Sequence, residues 1–171
     1  MGKSRSPWLL WSSILLLVII LACIIYAVYL YNHLYDSKTA GFDQTSEQIL
    51  NQTSITEIEK IEQYNGSAPF HVIFGLNEAN KEELIFYPVE GQVKDLTTIN
   101  RSEILAEEDV LNLWQTKCNE CELVKINPAL ENDEPLWEIT YHDNNNRYVM
   151  EYLSIYDGTP VESYHFKKMF N

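Results

Sequence analysis

Positive charge is scarce in this 171-residue chain, with 12 lysines and arginines against 25 aspartates and glutamates and a formal net charge of −13. Lys3 and Arg5 precede the one long apolar run, so the acidic excess is concentrated in the residues C-terminal to that run. Such a surface repels phosphate backbones and anionic headgroups, which excludes nucleic acid held by a basic patch. Enzyme signatures are scarce as well. His33, His71, His142 and His165 form no H-E-x-x-H pattern, and neither G-x-S-x-G nor a phosphate-cradling glycine loop occurs. The stretch Asp143-Asn144-Asn145-Asn146 is no calcium loop, since Tyr148 and Ser154 stand where glycine and glutamate are needed. No catalytic residue, metal or cofactor is expected, and the chain reads as a non-enzyme.

From Trp8 to Tyr31 there is no charged residue, and Ser12 and Ser13 are the only small polar breaks. A helix needs roughly 20 apolar residues to cross a hydrocarbon core, so residues 8–31 read as a transmembrane segment in the lipid bilayer. A cleaved signal would have a shorter apolar region ending in small residues. Ile20-Leu21-Ala22-Cys23 loosely matches a lipobox, but apolar and aromatic residues continue to Tyr31, where a lipidated cysteine would begin a polar tether. Lys3 and Arg5 before the run, with Asp36 the first charge after it, place residues 1–7 in the cytoplasm and the remainder outside. Trp8 and Trp11 at one end and Tyr26, Tyr29, Tyr31 and Tyr35 at the other suit the two interfaces.

Beyond the span, Asp36 to Thr53 reads as a stalk or weak helix that Asp43 can cap, and strand-like segments occur next at Ile55–Tyr64, Phe70–Gly75, Leu84–Pro88 and Gln92–Leu96. Asn65-Gly66 is a hairpin signal, and Glu90-Gly91 is a turn. At Asn100 the pattern becomes helical. Ile104, Leu105, Val110, Leu111 and Trp114 share helical spacing, which predicts a helix over Glu103–Lys117 capped by Ser102. Strands resume at Glu122–Ile126, Leu136–His142, Tyr148–Tyr156 and Pro160–Phe166, with turns at Asp143–Asn146 and Asp157-Gly158. Helix plus about four strands thus occurs twice, an α+β repeat in which each helix must cover one face of a twisted antiparallel sheet.

The stretch LWEITYHDNNNRYVMEYLSIYDGTPVESY, Leu136 to Tyr164, preceded by the helix and an N-terminal anchor, resembles the cell-wall elongation regulator TseB-like (YpmB-like) family of Gram-positive bacteria. The resemblance implies two small PepSY-like domains, the first with a stalk or helix within residues 32–99 and the second over residues 100–171. It also implies an extracytoplasmic, non-catalytic accessory protein of the cell membrane, one that binds a penicillin-binding transpeptidase and influences peptidoglycan elongation and cell shape. Cys118 and Cys121 depart from the family pattern.

Cys118-Asn119-Glu120-Cys121 is the most enzyme-like feature, because a C-x-x-C pair can exchange disulfides when one thiol is acidic. Glu120 and Glu122 disfavour the thiolate, and the pair follows a helix instead of opening one, so a structural disulfide is the preferred reading over a redox pair. A zinc site would also need His142 and His165 to converge from separate strands. Trp137, Tyr141, Tyr148 and Tyr152 form an aromatic set that can serve either as a partner surface or as core. Alternatives to the wall-synthesis role are a PepSY-type peptidase inhibitor or envelope chaperone, and a thiol oxidoreductase using Cys118 and Cys121.

Overall fold

The computed structural model describes residues 7–91 and 95–167. Lys3 and Arg5, and residues 92–94 of the expected Gln92–Leu96 strand, lie outside them. The chain divides into two units, Met1–Gly41 and Phe42–Asn171.

In the first unit a single helix, α1, runs from Pro7 to Lys38. Trp11–Asp36 is long and apolar enough to cross a membrane, with a mean hydropathy of 2.9 and no buried share. Apolar side chains surround it on all sides, as lipid contact requires and water does not favour.

The second unit begins with α2 (Phe42–Gln52), which carries Asp43 in its first turn, where negative charge meets the positive end of the helix dipole. A meander of four antiparallel strands comes next: β1 (Ile55–Asn65), β2 (Pro69–Asn77), β3 (Glu82–Pro88) and β4 (Thr97–Asn100). Strand alternation sends Ile73, Ile85 and Tyr87 to one face, where they pack with Ile49 of α2 and with Ile55. The opposite face presents Tyr64, Val72, Leu84 and Phe86.

After a 3-10 turn at Arg101–Glu103 comes α3 (Glu107–Lys117), then a second meander of β5 (Glu122–Glu131), β6 (Glu134–His142), β7 (Tyr148–Ser154) and β8 (Pro160–Phe166). Trp114 of α3 lies against Tyr141, ring centroids 5.6 Å apart. Glu138 and Tyr152 sit on the other face of this sheet, opposite Tyr141. One buried cluster joins both sheets, running from Val72 and Phe86 through Ala129, Leu136 and Ile139 to Val110 and Trp114. Each fully buried Leu, Ile or Phe in it stabilises the fold by about 1.5–3 kcal/mol. The two halves therefore share a core.

The α+β class and the helix-plus-four-strand repeat are as the sequence predicts. Three local details differ. The fourth strand is Thr97–Asn100, paired with Glu83–Phe86 of β3, and so lies downstream of Gln92–Leu96. The helix starts at Glu107 and not at Glu103, because Asn100 Oδ1 accepts bonds from Ser102 N (3.0 Å) and Ser102 Oγ (2.8 Å), closing a separate turn. Leu105 N then donates to Ile155 O at 2.9 Å, which pins the chain in an extended form. Ala106, not Ser102, is the N-cap, and Glu107, Glu108 and Asp109 crowd the first turn in place of a side-chain cap. Finally, β5 continues through Pro128 to Glu131, which an edge strand tolerates because its outer N–H has no ladder partner to lose. The β5–β6 hairpin closes on Asn132 (φ 51°) and Asp133 (φ 63°), the left-handed pair of a two-residue turn.

Candidate functional site: a carboxylate cleft between hairpin tips

Two hairpin tips and an edge strand converge on one cleft of about 340 Å³. The β1–β2 tip contributes Asn65, Gly66 and Ser67, the β5–β6 tip contributes Glu131, Asn132 and Glu134, and β8 contributes Val161, Glu162 and Tyr164. Leu136, Met150 and Tyr152 form its apolar floor. Among the described residues, three carboxylates line it and no lysine, arginine or histidine does.

Glu131 is the hinge between the tips. Its Oε1 accepts the Tyr64 hydroxyl at 2.6 Å and Ser67 N at 3.1 Å, while Oε2 lies 3.3 Å from Ser67 N. Burial opposes ionisation of Glu131, but the bonds from Tyr64 and Ser67 outweigh it and hold the carboxyl below the ordinary glutamate range. Burial, reinforced by Glu131, pushes the Tyr64 phenol far up. Glycine at position 66 leaves room for this approach, since a Cβ there would force the Glu131 carboxylate and the Tyr64 ring to shift.

Behind the cleft, Glu138 is almost fully buried on β6. Tyr152 donates its hydroxyl to Glu138 Oε2 at 2.9 Å, and Lys125 Nζ pairs with Oε1 at 2.7 Å. Burial raises the Tyr152 phenol, and Glu138 adds to the shift. Tyr164, at the cleft mouth, is raised by its bond to Glu162. These carboxylates are acceptors in formed hydrogen bonds. Glu131 lacks the elevated pKa that a general acid requires.

The aromatic set splits by burial. Trp137, Tyr141 and Tyr152 lie in the core, and Tyr148 is half-buried against His142 and Phe166. Strand alternation turns Trp137 and Tyr141 toward the α3 face and buries Tyr152 in the cleft floor. Among the described residues of the second unit, the exposed aromatics are Tyr156, Tyr164 and Phe166. Cys118 and Cys121 form a bonded pair, Cα atoms 5.4 Å apart, between the end of α3 and the start of β5. His142 and His165 are not gathered with them, and no group of metal-ligating side chains occurs among the described residues. Sequence reading missed Glu131, whose only local signal was its place beside Asn132-Asp133.

Residues 44–88, comprising most of α2 and the first three strands, match the model of the cell wall elongation regulator TseB-like domain. The chain is 19% identical over 141 residues to the Bacillus subtilis (strain 168) protein named "Probable cell wall elongation regulator TseB", covering 82% of this chain and 87% of that protein. Among solved structures, the YpmB protein from Bacillus subtilis aligns with a TM-score of 0.66 at 16% identity, over 74% of this chain and 98% of that one. The last likeness is one of fold.

Proposed function

From a chain whose sequence and fold likenesses support the TseB/YpmB-like family, we propose that this protein is a non-catalytic, membrane-anchored regulator of cell-wall elongation that binds a penicillin-binding transpeptidase. The α1 helix is its single-pass anchor, with the N-terminus cytoplasmic and residues 32–171 facing the wall as a stalk and a fused pair of PepSY-like halves, the first ending at residue 99 and the second spanning 100–171. What carries the binding role is the cleft itself. Glu131 is fixed by hydrogen bonds from Tyr64 and Ser67, and with Glu134 and Glu162 it gives the cleft an acidic surface, a form suited to recognition. Cys118 and Cys121 act as a local clamp at the end of α3, not as a redox centre.

The orientation is tested by adding protease to intact protoplasts. Digestion of residues 42–171 with α1 protected supports it, and an untouched C-terminal portion contradicts it. The regulatory role is tested by deletion, which should alter cell shape, and by restoration with the intact chain.

A further inference from the structure

Sheets end in edges, and an edge strand offers unpaired N–H and C=O groups to any extended chain unless something blunts it. Three of the four edges here are blunted. β1 carries Glu57, Glu59, Lys60 and Glu62 and two register shifts. β4 is only 4 residues long. β5 is interrupted by Pro128 and by a register shift before Lys125.

β8 is protected only at its start, where a register shift falls between Pro160 and Glu162. Pro160 stands only at its first position, and Glu162 to Phe166 pair regularly with β7. Among the described residues nothing covers it: Val161, Tyr164 and Phe166 are 48%, 44% and 50% exposed. Beside it lies the cleft, where Glu131, Glu134 and Glu162 face no cation among the described lining residues.

We propose that the free edge of β8 receives an extended segment of a partner protein as an added strand, with lysine or arginine side chains of that segment entering the acidic cleft. Main-chain hydrogen bonds to β8 supply affinity, and alternate side chains supply specificity. One face of the added strand would rest on Tyr164 and Val161 while its cations meet Glu162, Glu134 and the ionised Glu131. A chain of net charge −13 favours encounter with such a cationic segment. The inference rests on the binding role proposed above, but not on the partner being a penicillin-binding protein.

The test uses the full chain in lipid nanodiscs with two probes, an alternating lysine–valine peptide and an alternating glutamate–valine peptide, read by amide hydrogen exchange. The lysine peptide should slow exchange in β8 by about tenfold or more, while the glutamate peptide should not. Glu162→Lys and Glu134→Lys should each weaken the lysine peptide by about tenfold, and Ser163→Pro should abolish protection while β6 exchange stays slow. Should the proline variant disturb β6, the two charge reversals decide. Protection outside β8, equal protection by both peptides, or indifference to both reversals would overturn the proposal. So would an N-acetylglucosamine oligomer that displaces the peptide without protecting β8, which would assign the cleft to glycan. Capture of a penicillin-binding protein from other surfaces, with β8 indifferent, would sink this inference alone. β8 protection without any such capture would sink only the partner assignment.

Discussion

Tyr64 and Glu131 sit in different sheets, 67 residues apart, and the tyrosine hydroxyl donates a 2.6 Å hydrogen bond to the glutamate. It is a polar tie between the halves beside the shared core, and it opens onto the cleft. Tyr64→Phe should lower the unfolding free energy by about 1–2 kcal/mol, the range for a hydrogen bond to a charged group that keeps some solvent. Gly66→Ala should cost up to about as much, because its Cβ displaces both partners and breaks their bond. Urea unfolding of the two variants checks both, and a neutral result in both would show that the tie contributes nothing to holding the halves together.

Tyr64 and Glu131 of this tie, together with Tyr141 elsewhere in the second sheet, give stability a pH dependence of defined sign. Tyr141 is pushed up to about 12 by burial and by Glu151, and Tyr64 is raised by burial. A raised phenol contributes stability that is complete below its unfolded value, about 10, and is lost as pH rises toward the folded value. Glu131 runs the other way: its lowered carboxyl stabilises above the unfolded value of about 4.3 and loses that contribution as pH falls through the folded one. Unfolding midpoints should therefore fall above pH ~10 and below pH ~4. Tyrosinate absorbance of the folded protein should lag behind that of the unfolded chain, and coincident titrations would contradict the assignment.

Lys125 neutralises a glutamate that has almost no contact with water. Lys125→Met should destabilise by about 1–3 kcal/mol, less than a fully buried pair would lose because the lysine is half-exposed. Adding Glu138→Gln to that background should recover part of the loss, since it removes the stranded charge while leaving an acceptor for Tyr152. A double-mutant cycle that shows no coupling would argue against the pair.

The cysteines should matter little to function. Replacing both with serine removes a very short loop closure, worth roughly 2 kcal/mol by the chain-entropy relation. The variant should unfold more easily yet restore normal cell shape as the intact chain does. Loss of activity in a folded variant would favour redox chemistry instead.

Much of the fold is legible in the sequence because its signals are local. The charge-free run marks α1, Asn65-Gly66 and Asp157-Gly158 mark hairpins, and alternation marks β6. What escapes is set by long-range contacts. Thr97–Asn100 holds one buried side chain, Ile99, and becomes a strand only because β3 pairs with it. The start of α3 is delayed by a bond from Leu105 to Ile155, 50 residues away. The cleft is less legible still. Trp137 and Tyr152 look like interface aromatics in a one-dimensional pattern, but the second sheet is covered on both faces, so alternation no longer separates core from surface. Glu131 acquires its role only when Gly66 brings the other hairpin tip against it.

The most direct test of the regulatory role is photo-crosslinking in living cells, with the full chain carrying a photoreactive residue at exposed positions of the second unit in turn, including Ser163 and Tyr164 on β8. Covalent capture of a penicillin-binding transpeptidase is the expected result. Its absence from every position, with cell shape unchanged when the protein is deleted, would contradict the role proposed for this chain.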